Sequence, residues 1–403
     1  MKWETYKLKQ LCSEIVDCVN KTAPTSDVPT PYKMLRTSDI REGKINLENL
    51  NCVTKEVYEK WTRRGKLQKG DVIFTREAPL GEVGLVREEK NYFLGQRLVL
   101  FRANDKICDG RFLMYSLLWH DNKQAIISKG VGSTVAHLRV PECKNIEIKA
   151  PDLDIQHRIV DILSAYDDLI ENNQKQIKLL EEAAQRLYKE WFVDLRFPGH
   201  ENTKIVDGVP EGWNWCKLED AIQLDPKVTL TKERMKQFIP MSALSTSSMV
   251  LDESQFTETT SNSGSKFQNG DTLLARITPC LENGKTAYVS GLKSDEGAVG
   301  STEYIVMRAK TINSYMVYLL ARTDDFRQSA INSMSGSDGR QRVKSDKLKM
   351  LDYLHPTSEL VEKFENVEEP IFEKIYRLSK QMQQAKQARD LLLPKLMSGE
   401  VEV

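Results

Sequence analysis

An α+β fold is predicted: two tandem modules, mostly strands with a few helices, separated by two long antiparallel coiled-coil helices in a pseudo-two-fold dumbbell. Two observations in the 403-residue sequence carry this expectation. The first is a duplication at an offset of about 200 residues. Leu67-Gln-Lys-Gly-Asp-Val-Ile-Phe-Thr-Arg76-Glu-Ala-Pro79 returns as Phe267-Gln-Asn-Gly-Asp-Thr-Leu-Leu-Ala-Arg276-Ile-Thr-Pro279. Self-similarity at one offset sets architecture before any local reading, and two large copies are too few for a solenoid, which needs at least about three repeats. The second observation is that each copy is followed by a long run of apolar residues at heptad spacing.

The elements of the two copies match in order. Each opens on a Trp-containing segment, Trp3-Glu-Thr-Tyr-Lys7-Leu8 and Trp213-Asn-Trp-Cys-Lys217-Leu218. Strand-like runs follow, Asp71-Val-Ile-Phe-Thr75 against Asp271-Thr-Leu-Leu-Ala275, then Arg97-Leu-Val-Leu-Phe-Arg102 against Glu303-Tyr-Ile-Val-Met-Arg308. Glycines such as Gly81 and Gly84, and the Asn283-Gly284 pair, mark turns between them. A helix with one apolar face comes next, through Phe112, Tyr115, Leu118 and Trp119, or Tyr315, Tyr318 and Leu319. A small-residue loop, Gly130-Val-Gly-Ser-Thr134 or Ser335-Gly-Ser-Asp-Gly339, leads to a basic stretch, His137-Leu-Arg139 or Arg340-Gln-Arg342. A last strand ends at Pro151 or Pro356.

Beyond each proline the period changes. Ile155, Ile159, Ile162, Tyr166, Leu169, Ile177, Leu180, Ala184, Leu187 and Trp191 form one a/d seam, with a polar exterior such as Glu171-Asn-Asn-Gln-Lys-Gln. Leu360, Phe364, Val367, Ile371, Leu378, Met382, Ala385, Leu392 and Leu396 form the other. A rod of about 40 residues spans roughly 60 Å. An isolated amphipathic rod is marginal, so the seams are expected to bury one another. For each helix to begin at its own module, the pair must be antiparallel. The expected boundaries are residues 1–152 for module one, 153–195 for the central helix, 196–212 for a linker, 213–357 for module two and 358–403 for the C-terminal helix.

Bulk properties narrow the class. The 58 basic and 58 acidic residues cancel, which argues against indiscriminate nucleic-acid binding by excess cation. Charge is nonetheless uneven. Residues 60–76 hold Lys60, Arg63, Arg64, Lys66, Lys69 and Arg76 against Asp71 alone, and residues 340–349 hold Arg340, Arg342, Lys344, Lys347 and Lys349 against Asp346. The seven cysteines are scattered without metal-ligand spacing, as expected of reduced thiols in a cytosol. No apolar run approaches the ~18 residues of a membrane span, so a cytoplasmic protein is expected.

Catalytic constellations are missing. Gly284-Lys285-Thr286 imitates the end of a phosphate-binding loop, but Pro279 stands where that motif needs its first glycine. Gly130-Val-Gly132 lacks the third glycine and the acidic residue of a dinucleotide fingerprint. The five histidines do not pair at ligand spacing, and no Asn-Pro-Pro-Tyr or Asp-Pro-Pro-Tyr run is present. A non-catalytic binding protein without metal or cofactor of its own is expected.

The duplicated Gly-Asp-strand unit, the small-residue loop before a basic stretch, and Pro151-Asp-Leu-Asp-Ile-Gln156-His-Arg-Ile159 opening a heptad helix together resemble the specificity subunit of type I restriction–modification systems. The resemblance covers nearly the whole chain. Glu359-Leu-Val-Glu-Lys363 departs from the family's pattern where a Gln would fall. It implies that each module is a target-recognition domain for double-stranded DNA, reading half of a bipartite site. It also implies docking of two methyltransferase subunits and of motor–nuclease subunits, with S-adenosylmethionine, ATP and Mg bound by those partners. Residue type and loop position then nominate DNA contacts. In module one these are Arg63, Arg64, Lys66, Arg76, Gln96, Arg97, Lys129, Ser133, Thr134, His137 and Arg139. In module two they are Lys266, Arg276, Thr302, Ser335, Ser337, Arg340, Gln341 and Arg342. Arg and Gln can read guanine and adenine bidentately, whereas Lys, Ser and Thr more often position phosphate. For Arg76 and Arg276 a structural pairing with Asp71 or Asp271 is the competing expectation. A two-headed scaffold or an RNA binder is the alternative function, disfavoured because the aromatics stand mainly in core-like positions rather than exposed for stacking.

Overall fold

The repeated Gln-x-Gly-Asp segment folds identically in both copies. Asp71 accepts from the Gln68 amide at 2.7 Å, and Asp271 from the Gln268 amide at 2.8 Å. The chain can turn there because Gly70 and Gly270 take φ of +91° and +89°, a region that penalises any Cβ. The turn releases the chain into a central strand, Val72–Arg76 in one copy and Thr272–Ala275 in the other. The computed structural model describes residues 2–132, 136–337 and 341–403. It divides into two units, one of residues 1–169 and 385–403, the other of residues 170–384. The division falls inside both long helices.

In the first unit an antiparallel four-stranded sheet runs in the order Cys12–Asp17, Leu98–Ala103, Val72–Arg76, Leu80–Leu85. The second unit repeats that order with Ile222–Leu224, Tyr304–Ala309, Thr272–Ala275 and Thr286–Tyr288. Each unit adds a second sheet containing one parallel pair, Lys33–Leu35 with Tyr92–Leu94, or Lys236–Ile239 with Ala298–Gly300. Each also joins its opening strand to its last one, Glu4–Lys7 to Glu147–Ala150 and Asn214–Lys217 to Asp352–His355. The modules are therefore α+β, as expected.

The apolar helix expected in each module is present, and a second helix that was not expected follows it directly. Gly110–Leu118 ends at Trp119 and His120–Ser128 follows; Ser314–Arg322 ends at Thr323 and Asp324–Asn332 follows. In the second module the break has a local cause. The Thr323 hydroxyl caps the next helix by accepting from the Phe326 amide, which requires extended backbone at the cap. The first helix of each pair is capped by Asp109 or Asn313.

The long helices run over Leu153–Tyr188, continued by a π-turn at Lys189–Val193, and over Ser358–Ser398. They are antiparallel within each unit. In the first, Arg158 donates to the Val403 carbonyl and Arg389 pairs with Asp167. In the second, Asn173 donates to Gln381, while Tyr188 and Trp191 pack edge-on against Phe364. Two expectations about the seam need correction. Val367 is 41% exposed, and the fully buried residue is its neighbour Glu368, followed by Phe372 and Ile375. A straight helix drifts about 20° per heptad from a strict 3.5 repeat, enough to slide the buried line by one residue. Asn173, expected on the polar exterior, is buried at 2% exposure and bridges to the partner helix.

Candidate nucleic-acid interface

Two strand ends and the segment that precedes a short helix meet at one edge of each module, and the backbone bonds holding them are the same in both. The Arg76 amide donates to the Arg97 carbonyl at 2.8 Å, and the Arg276 amide to the Glu303 carbonyl at 3.0 Å. The Leu138 amide donates to the Arg76 carbonyl and the Val343 amide to the Arg276 carbonyl, at 3.0 and 2.9 Å. Beyond these, His137 exchanges two backbone bonds with Val131, and Arg342 two with Ser335, all at 3.0 Å. The small-residue loops are thereby pinned at their necks beside the central strand.

Arg76 and Arg276 brace this edge. Arg76 donates to the Leu138 carbonyl at 3.3 Å and pairs with Asp17 at 3.2 Å; Arg276 donates to the Val343 carbonyl at 3.0 Å. The structural partner expected for them is wrong. Asp71 is held by Arg102 at 2.8 and 2.9 Å, and Asp271 by Arg308 at 2.7 and 2.7 Å. In each strand pair these arginines lie across the sheet from the aspartate, a relation that sequence spacing does not reveal. Both aspartates are 1% exposed, and a bidentate guanidinium satisfies such a carboxylate better than any single donor.

The other nominated residues fall into groups. Arg97 is exposed, takes a left-handed backbone at φ +68°, and lies 3.4 Å from Glu77. Arg342 grips Glu303 through Nε and Nη2 at 2.7–3.0 Å, which holds the Glu303 carboxyl below its ordinary range. His137, half-buried, pairs with Glu77 through a backbone bridge, as Arg342 does with Ile277. Gln341 lies one residue before Arg342, and its carbonyl accepts from the Thr278 amide. Ser335 and Ser337 are exposed in the second loop, and Thr302 is exposed one residue before Glu303. Arg139 is exposed at the start of a short helix, its amide capped by Glu142, and Lys129 is exposed at the end of His120–Ser128. Ser133, Thr134 and Arg340 lie outside the described residues.

A separate patch forms in module one. Arg63 and Lys66 are exposed beyond the helix Lys55–Trp61, with the Lys66 ammonium 5.9 Å from the Tyr58 ring. Arg64 is turned back onto the Cys18 carbonyl at 2.9 Å. Gln96 accepts from Thr22 at 3.2 Å. Lys266 sits within the strand Ser265–Phe267, opposite Val299. Glu77, Glu303 and Ile277, which the sequence reading did not nominate, adjoin the nominated Arg97, His137 and Arg342; they were missed because acidic and apolar side chains were not sought as candidate contacts. Among the described residues no group of His, Cys, Asp or Glu is placed to hold a metal ion, and no helix is long and apolar enough to cross a membrane.

Comparison with known proteins agrees with this construction. Residues 1–182 match the family model described as the type I restriction modification DNA specificity domain. The chain is 26% identical over 345 residues to the type I restriction enzyme MjaIX specificity subunit of Methanocaldococcus jannaschii, covering 83% of this chain and 78% of that one. It is 35% identical over 140 residues to the EcoAI specificity subunit of Escherichia coli, 34% of this chain and 24% of that one. The fold matches the crystal structure of a type I restriction–modification S subunit from M. genitalium at a TM-score of 0.61 and 16% identity, covering 98% and 96% of the two chains. With the duplicated strand order and the paired long helices, these matches lead to one conclusion: the chain is similar over most of its length to type I restriction–modification specificity subunits, and its first 182 residues match their DNA specificity domain.

Proposed function

We propose that each module reads one half of a bipartite duplex-DNA target and that the paired helices set a fixed, unread spacer between the halves. The observation that carries this is the repetition of one edge, with its pinned loop, in two modules of a single chain. A module of this size reaches only a few base pairs in a groove, so two are needed for a rare site. Half-sites on a duplex also demand a constant separation and facing. Arg, Lys, His, Gln, Ser and Thr side chains at these edges supply the contacts, the arginines and Gln to base edges and the others chiefly to phosphate. The chain is itself non-catalytic. It directs two methyltransferase subunits and the motor–nuclease subunits, which bind S-adenosylmethionine, ATP and Mg, and the complex works in the cytoplasm.

Methylation mapping tests this. The chain is co-expressed with its methyltransferase subunit in a host free of adenine methylation, and modified bases are located by sequencing. A split motif with one constant gap is expected. An assembled complex that methylates an uninterrupted motif, or none, would overturn the reading.

A further inference from the structure

Matched backbone bonds allow the two edges to be compared position by position, and they divide into a constant part and a variable part. The constant part is Asp71 with Asp271, Arg102 with Arg308 and Arg76 with Arg276, each making corresponding bonds. The variable part is three adjoining positions. Where one module has Glu77, Arg97 and His137, the other has Ile277, Glu303 and Arg342. Within each set the members touch. Glu77 meets both Arg97 and His137, and Arg342 meets both Ile277 and Glu303.

We propose that Glu77, Arg97 and His137 determine the sequence read by the first module, and Ile277, Glu303 and Arg342 that read by the second. The proposal rests on the DNA-reading function above and assigns it to particular residues. Stability does not account for the variation. The constant pairs are buried, at 1% exposure for both aspartates, and would be costly to change. The variable ion pairs are exposed, at 51% and 31% for Arg97 and Glu77, and 45% and 26% for Arg342 and Glu303. Pairs of that kind contribute little to folding, so the fold leaves these side chains free to differ.

Their chemistry is that of base reading. At one backbone position the charge is reversed, Arg97 against Glu303. In the major groove an arginine matches the O6 and N7 acceptors of guanine, and a glutamate accepts from the N4 amino group of cytosine. Arg342 is oriented by Glu303 through Nε and Nη2, which leaves Nη1 to donate beside a carboxylate that accepts. The second module therefore presents donor and acceptor together, and a G·C pair offers the complement. Arg97 keeps φ +68°, a left-handed conformation rare for a non-glycine residue and concentrated at functional sites.

The test is selection from duplexes with a randomised core, using the complete complex of this chain with its methyltransferase subunits. Arg342→Lys, Glu303→Gln and Arg97→Lys keep size and remove bidentate or ionic matching. The first two should relax one or two positions of one half-site, by about 5- to 150-fold against the preferred base pair, and leave the other half unchanged. Arg97→Lys should do the same in the opposite half. Wild-type motifs retained in all three variants would overturn the assignment. So would weakening that is equal across all sequences, since that marks phosphate contact. A wild-type complex that selects no motif would sink the DNA-reading function itself. Thermal unfolding of each variant separates loss of reading from loss of fold, and the two modules provide independent arms.

Discussion

Asp167 and Phe372 hold equivalent places in the long helices, counted from the prolines Pro151 and Pro356 that precede them, yet they are packed by opposite chemistry. Asp167 is buried, accepts from the Tyr115 hydroxyl at 2.5 Å, and pairs with Arg389 of the other helix at 2.6 Å. Phe372 is equally buried but sits among rings, with centroids 5.1, 4.7 and 5.8 Å from Tyr288, Tyr315 and Tyr318. The polarity is inverted four residues earlier. Leu163 is wholly buried in apolar surroundings, and its counterpart Glu368 is wholly buried with no hydrogen bond to either oxygen. One backbone plan thus accepts an ion pair or an aromatic cluster.

Breaking the polar side of this comparison should cost most. Arg389→Ala leaves Asp167 buried with one neutral donor and should destabilise the first unit by about 3–5 kcal/mol. Hydrogen exchange would locate the loss in residues 1–169 and 385–403. Asp167→Leu combined with Arg389→Met removes both charges and should recover most of that loss. Failure to recover would mean that the pair supplies more than its own satisfaction.

Glu368 sharpens the comparison in the opposite direction. Burial pushes its carboxyl up from 4.5 to about 7. The folded state therefore binds its proton more tightly than the unfolded state. Stability of the second unit should fall by about 3 kcal/mol as pH rises from 4.5 to 7, and stay level above that. Glu368→Leu, which installs the residue of the first unit, should flatten this dependence and raise stability at pH 8. Urea unfolding across the pH range measures both, and an unchanged slope would show that Glu368 is solvated.

Helix caps should show smaller differences. Asp109→Ala removes an acceptor shared by the Arg111 and Phe112 amides and should cost about 1 kcal/mol. Asn313→Ala should cost more, because Asn313 also donates to the Val361 carbonyl of the second long helix. Equal losses would mean that this bond to the helix contributes nothing net. Smallest of all, Arg342→Lys should shift the unfolding midpoint little, since its pair with Glu303 is exposed.

The chain's duplication was legible as sequence, and so were the strand-forming runs and the two long helices, because each rests on local pattern. The site was legible only in part. Arg97, His137 and Arg342 were nominated by residue type; Arg97 and His137 both adjoin Glu77 in the first module, and Arg342 adjoins Ile277 and Glu303 in the second. Glu77, Ile277 and Glu303 were not nominated, since nothing in their own sequence context distinguishes them from surface residues. Arg64 and Arg76 were marked for their charge, and the fold turns both guanidinium groups onto protein carbonyls.

Local order determined where turns, strands and heptads begin, because backbone freedom at glycine and apolar spacing act over a few residues. Tertiary structure decided the partners. Asp71 was given Arg102, not Arg76, because strand pairing brings together residues about 30 positions apart. It also decided that the second helix would continue through Pro370, and that Glu368, not Val367, would face inward. Those outcomes depend on which surface a residue meets across the interface, and that surface is built by distant parts of the chain.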